Sequence, residues 1–149
     1  MHLAKLSIQE KIGQLLFIGL PGDSIDASTQ SLLEAVKPGG ICLFARNINS
    51  PAQVRGLNDE VRELLSIEPF LSIDQEGGLV DRLRRILAPM PAASQIATVA
   101  DAAAEASVIA QALRILGFNM DFAPVVDVID ADRERFQNGL HSRSYGKNA

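Results

Sequence analysis

Apolar residues in this chain follow two spacings: short continuous runs, and longer stretches with an apolar residue every third or fourth position. Ser7-Ile8-Gln9-Glu10 has the form of a capping box, with serine hydroxyl and glutamate carboxylate reaching reciprocal backbone amides, and predicts a short helix ending near Gly13. Leu15 to Leu20 reads as a buried strand, broken by Pro21-Gly22-Asp23. Ser28 to Lys37 places Leu32, Leu33 and Val36 at helical spacing, and Pro38-Gly39-Gly40 stops it. Ile41-Cys42-Leu43-Phe44 follows as a second strand. Ser50-Pro51 supplies an N-cap and a first-turn proline to a helix whose apolar face is Val54, Leu57, Val61, Leu64 and Leu65. Phe70 to Ile73 is the third strand. Asp101 to Leu116 is an alanine-rich helix ended by Gly117, and Phe118 to Val128 is a fourth strand interrupted by Pro124.

Strands written as nearly continuous apolar runs and alternating with helices predict a parallel sheet covered by helices. Two architectures satisfy that pattern. A doubly wound sheet suits the length, since a complete (β/α)8 barrel takes about 250 residues. The strand ends favour the barrel, because Arg46, Asp74, Glu76, Asp121 and Asp127 lie at or just beyond strand C-termini, the face on which barrels build their sites. No internal repeat or low-complexity linker is visible, and the last twenty residues read as polar and irregular.

Composition narrows the partners. A 149-residue chain that is 47% hydrophobic and 21% charged has the make-up of one globular unit able to bury a core. The net charge of -4 and the absence of a basic block argue against nucleic acid. Cys42, the only cysteine, sits in an apolar run and reads as a small core residue, and one chain can form no disulfide. The longest apolar stretch, Leu15 to Leu20, is far short of a membrane span, so the expectation is a cytoplasmic protein without a transmembrane segment.

The densest chemistry lies in Ile73-Asp74-Gln75-Glu76-Gly77-Gly78, with Arg82 beyond it. Carboxylates accept from hydroxyls and a guanidinium donates in a fixed fork, so Asp74 with Arg82 and Arg143 would suit a polyhydroxylated ligand. The competing reading has Asp74 and Glu76 capping amides of the Gly77-Gly78 turn, with the arginines in surface ion pairs. The residues alone do not choose between them. Asp74, Glu76, Asp121 and Asp127 could also hold Mg²⁺, but no histidine is fixed to them by spacing. No GxGxxG, GxxxxGK[ST] or GxSxG pattern is present, and His2 and His141 read as solvated side chains.

Five segments in order carry a family likeness: Lys11-Ile12-Gly13-Gln14-Leu15, Pro38-Gly39-Gly40-Ile41, Ile73 to Gly78, Phe122-Ala123-Pro124-Val125-Val126-Asp127-Val128 and Arg143-Ser144-Tyr145-Gly146. Together they resemble the N-terminal domain of glycoside hydrolase family 3, and the DQEGG form is similar to its bacterial β-N-acetylhexosaminidase branch. The resemblance implies that residues 1–149 are the N-terminal half, about four βα units, of a TIM-type (β/α)8 barrel. It implies a retaining hydrolase of terminal β-linked N-acetylglucosamine, acting on substrates such as peptidoglycan fragments without metal or cofactor. By the same resemblance Asp74, Arg82 and Arg143 bind the sugar, while Glu76 and Asp127 support them. Leu79 departs from the pattern, standing where the family often has arginine. The family's Lys-His pair, its Gly-His-Gly acid/base histidine and its nucleophilic aspartate belong to later strands, so the resemblance places no catalytic residue in this chain. An inactive half-barrel with exposed edges, open to self-association, is the resulting expectation. A noncatalytic sugar-binding or assembly module, a β-glucosidase-like specificity and an unrelated phosphate- or metal-dependent α/β enzyme are the alternatives.

Overall fold

A computed structural model describes residues 3–129 and 139–146. His2 and part of the C-terminal stretch expected to be irregular lie outside the described residues. After a single turn of 3-10 helix at Leu3–Lys5, helix α1 runs over Ile8–Gly13 with the capping box formed as expected. The Ser7 amide, followed by Lys37, holds the Glu10 carboxyl down at about 2. Strand β1 is Phe17–Gly19, shorter than its apolar run. Helix α2 spans Ala27–Val36, capped by Asp26 rather than starting at Ser28, because the Asp26 carboxylate accepts the Thr29 amide at 2.7 Å. Strand β2 is Gly40–Leu43, helix α3 Pro51–Leu64 with Ser50 as N-cap, and β3 Phe70–Ile73.

Beyond β3 come two short strands that the apolar pattern does not reveal, β4 (Gln75–Gly77) and β5 (Val80–Asp81), paired antiparallel as a hairpin. Helix α4 covers Val99–Ile115. The last strand, β6, is only Met120–Asp121, and a cis Ala123–Pro124 peptide follows it. The long run from Phe118 to Val128 therefore contributes two residues to the sheet. Proline has no amide hydrogen to continue the ladder.

The main sheet has the order β1-β2-β3-β6, parallel throughout. Each strand lies beside the previous strand of that sheet, with no reversal of order, which is a barrel wall rather than a doubly wound sheet with its switch point. One face is sealed by helices. Ile41, Leu43, Leu71 and Ile73 alternate onto it and are 0–1% exposed, packed with Leu33 of α2, Val54, Leu57 and Val61 of α3, and Leu113 of α4. Each such side chain removed from water contributes about 1.5–3 kcal/mol before the entropy of ordering it is charged.

The register puts Phe17, Gly40 and Phe70 side by side on the opposite face, where helices do not reach. Phe17 stacks against Phe70 at 6.0 Å and meets Phe122 edge-on at 5.8 Å, and all three rings stay about half exposed. A side chain at Gly40 would collide with the Phe17 ring, so the smallest residue is needed between the two phenylalanines.

Candidate functional site

Asp74 leaves β3 at its C-terminal end, and the next eight residues fold back so that Arg82 returns to it. The agent of that return is Gln75, whose side chain is fully buried. Its Nε2 donates to Asp81 Oδ1 at 2.9 Å and its Oε1 accepts the Leu83 amide at 3.1 Å. Asp81, also buried, accepts the Met90 amide at 3.0 Å through its other oxygen. Buried polar groups must find partners, and these satisfy one another across the hairpin. Arg82, next to Asp81, then donates from Nη2 to Asp74 Oδ2 at 3.3 Å, each side chain 26% exposed.

The chain around Glu76 is built differently. Gly77 has φ +82°, and a Cβ there would run into the carbonyl oxygen of Pro91, so β4 passes beneath the 90–92 strap only as glycine. Gly78 donates its amide to the Met90 carbonyl at 3.0 Å. Leu79, at the hairpin tip, is mostly exposed and has no part in this packing. From 67 residues away Arg143 closes on Glu76 with two parallel hydrogen bonds of 2.7 Å, from Nε and Nη2. The Glu76 bonds hold the Arg143 proton even more firmly than usual, and the charges of Asp74 and Asp127 add to that. The segment carrying Arg143 is tied down by Ser94 N–H to the Ser142 carbonyl at 3.2 Å and by Ser144 Oγ to the Asp127 carbonyl at 2.9 Å.

Phe44 completes the mouth. The Arg46 and Arg82 guanidinium groups approach its ring at 4.9 and 5.8 Å. Burial pushes the nearby Cys42 thiol up, with the Ser72 side chain and the charges of Arg82 and Arg46 opposing and Asp74 adding. Asp121, at the end of β6, accepts the Gln75 amide at 3.0 Å. Burial raises its carboxyl to about 6, that hydrogen bond works against the rise, and the charges of Asp74 and Glu76 contribute to it. Behind Glu76 lies a mainly apolar cavity of about 500 Å³, between α4 and the 118–124 segment, with Glu105, Ile109, Asp121 and Tyr145 in its walls. Neither Asp74 nor Arg82 lines it.

Asp74 and Arg82 are thus brought together, and Arg143 reaches the same strand end but on Glu76. Asp127 is exposed and serves this region through its carbonyl and its charge near Arg143. The amide-capping alternative for Glu76 gives way to an ion pair. Among the described residues, no three His, Cys, Asp or Glu side chains converge as a metal site, and no helix is long and apolar enough to cross a membrane. Sequence reasoning missed Gln75 and Asp81 as the groups that shape the mouth. The only trace of them is a polar residue at each end of a short hairpin. A partly exposed carboxylate can accept from one hydroxyl of a polyol while the guanidinium beside it donates to the neighbouring oxygen.

Residues 7–149 match the glycosyl hydrolase family 3 N terminal domain. The chain is 35% identical over 122 residues to a beta-hexosaminidase of Alkalilimnicola ehrlichii, covering 76% of this chain and 35% of that protein. A family 3 beta-N-acetylglucosaminidase structure from Paenibacillus sp. superposes with TM-score 0.75 at 35% identity, over 83% of this chain and 25% of that one. NagZ from Neisseria gonorrhoeae, in complex with N-trifluoroacetyl-D-glucosamine, superposes with TM-score 0.68 at 26% identity, over 89% of this chain and 40% of that one. The chain spans about a third of the length of the curated relatives it matches. It belongs to glycosyl hydrolase family 3, and its fold is the N-terminal half of that family's (β/α)8 barrel.

Proposed function

We propose that residues 1–149 form part of the sugar-binding half of a retaining β-N-acetylhexosaminidase that releases terminal β-linked N-acetylglucosamine. The observation that carries this reading is the half-open Asp74–Arg82 pair at the C-terminal end of the parallel strands. The names of the family relatives support the sugar. Asp74 accepts from one ring hydroxyl and Arg82 donates to the next, which orients the sugar. Arg143 adds a contact from the Glu76 side, and Glu76 and Asp127 hold Arg143 in position. Peptidoglycan fragments in the cytoplasm are the substrate and setting that the resemblance implies.

Retaining hydrolysis needs a nucleophile at the anomeric carbon and a proton donor at the leaving oxygen, about 5 Å apart when both are carboxylates. In this reading both come from later strands of the barrel, the fifth of which would pair with the free edge of β6. The 149-residue chain therefore binds sugar and does not hydrolyse it. Expected results are no release of chromophore from a nitrophenyl N-acetylglucosaminide, and weak N-acetylglucosamine binding by NMR titration that Asp74→Ala removes. Turnover at the rate of a complete enzyme, or binding indifferent to Asp74→Ala, would refute the assignment.

A second reading, a noncatalytic module that assembles with another copy, is favoured by the half-exposed Phe17, Phe70 and Phe122 cluster on the helix-free face of the sheet. Concentration-dependent dimerisation in sedimentation velocity, lost on Phe17→Ser, would support it.

A further inference from the structure

The hairpin between Asp74 and Arg82 is too short to hold its own register. β4 has three residues and β5 two, Gln75 stands opposite Asp81, and the pairing is irregular between Gln75 and Gly77. Strands with so few backbone bonds slip easily, and a slip of one residue would turn Asp81 outward and Arg82 inward. What opposes the slip lies beneath the pair. Gln75 follows Asp74 and Asp81 precedes Arg82, both are buried, and the 2.9 Å bond from Gln75 Nε2 to Asp81 Oδ1 therefore joins the two residues next to the pair. Each end is fastened again. Gln75 Oε1 accepts the Leu83 amide at 3.1 Å, the Gln75 amide donates to Asp121 Oδ1 at 3.0 Å, and Asp81 Oδ2 accepts the Met90 amide at 3.0 Å. Asp74 and Arg82 themselves meet through one bond of 3.3 Å, partly open to water, which is too little to fix either of them.

The buried bonds also have a direction. Gln75 both gives and accepts, Asp81 only accepts, and a donor left facing another donor in such a place loses its solvation without return. We infer that Gln75 and Asp81 are positioning residues for sugar binding: their buried bond sets the register of the hairpin, and through it the placement of Asp74 as acceptor and Arg82 as donor toward neighbouring sugar oxygens. Neither residue touches the sugar. The inference rests on the sugar-binding reading above and adds to it the device that keeps the binding pair in place.

Because the bond has a direction, it can be broken and then remade. Asp81→Asn puts an amide where two acceptor oxygens stood, so that it faces either Gln75 Nε2 or the Met90 amide, donor against donor. Adding Gln75→Glu reverses the bond: the carboxylate at 75 accepts from the amide at 81, the Leu83 and Met90 amides keep their acceptors, and the net charge returns to that of the unaltered chain. N-acetylglucosamine is titrated by NMR into each chain, with folding checked by circular dichroism. Asp81→Asn should weaken binding about five- to tenfold. The double change should restore it to within about twofold of the unaltered chain. Unchanged affinity in Asp81→Asn, or a folded double variant that binds no better than the single one, overturns this inference alone. No binding by the unaltered chain overturns the sugar reading and this inference with it. A measurement on the unaltered chain decides the matter even if the single variant does not fold. Coupling is reciprocal, so saturating sugar should slow hydrogen exchange at the Leu83 and Met90 amides by more than it slows the amides of α3. Equal slowing overturns the inference.

Discussion

Glu76 and Arg143 meet through two hydrogen bonds of 2.7 Å, with the carboxylate side chain 8% exposed, whereas Asp74 and Arg82 meet through one of 3.3 Å with both side chains 26% exposed. The two carboxylates are two residues apart, Asp74 just beyond β3 and Glu76 within β4. Their difference comes from what surrounds them. Glu76 is covered by the strap and by a segment from the far end of the chain, and a bidentate pair in such a place ties the two together. Asp74 faces the open mouth, where water competes for both partners and the pair contributes little to stability. Among the described residues Arg82 Nε is buried without a hydrogen-bond partner, so the guanidinium is not fully satisfied by its ion pair. The tight pair ties the Arg143 segment to the hairpin, and the loose pair leaves both of its groups partly open to solvent.

Gly77→Ala should have the largest effect, because it strikes β4, the strand that carries Glu76 and Gln75. A Cβ at φ +82° facing the Pro91 carbonyl must displace the strap, at about 3 kcal/mol. Urea denaturation measures it, and a loss below about 1 kcal/mol would mean that the strap yields freely. Glu76→Gln should come next, costing about 2 kcal/mol, since it leaves a partly buried guanidinium without its counter-charge. The matching change Asp74→Asn should cost less than half as much in the same thermal melts. Equal losses would erase the distinction between the pairs.

Asp121 lies near both carboxylates and gives a pH-dependent view of them. Its carboxyl is raised from 3.8 to about 6, so the folded protein holds a proton there that the unfolded chain releases. Stability from this group is greatest below the unfolded value and falls as pH rises through about 6. Asp121→Asn can still accept the Gln75 amide, and should stabilise the chain by about 1–2 kcal/mol at pH 7 with no gain near pH 4. Glu10 works in the opposite sense, its contribution present above its unfolded value and lost as pH falls towards 2, and it cancels between the two proteins. A pH-independent difference would show that Asp121 is not desolvated. The smallest change in stability belongs to Asp74→Ala, below about 1 kcal/mol, although this substitution should remove sugar binding altogether. A large loss of stability would make Asp74 a structural residue like Glu76.

Caps and apolar runs made most of the fold legible. The Ser7 box, the Ser50-Pro51 start and the Phe70–Ile73 strand needed only local spacing, because a cap or a run of apolar residues acts over three or four positions. Ser28 misled as a helix start because Asp26 also lies three residues from an amide it can accept. The candidate site was legible in its residue types, Asp74, Arg82 and Arg143, and illegible in its pairing. Hairpin strands of three and two residues carry no periodicity to read, so nothing local showed that Gln75 is buried or that Asp81 receives it.

By itself the sequence determined that strands and helices alternate, where most of the helices begin, which sheet positions are apolar and which family motifs occur in order. Those are properties of single residues and near neighbours, decided by backbone propensity, capping and burial preference. Only the tertiary structure decided that Arg143 meets Glu76 across 67 residues, that Asp74 remains partly open, that Arg46 and Arg82 both approach the Phe44 ring and that Phe17, Phe70 and Phe122 converge on an uncovered face. The reason is physical: how strongly a charge or a ring is held depends on what the rest of the chain brings within a few ångströms of it, and that proximity is set by strand register and the course of the hairpin.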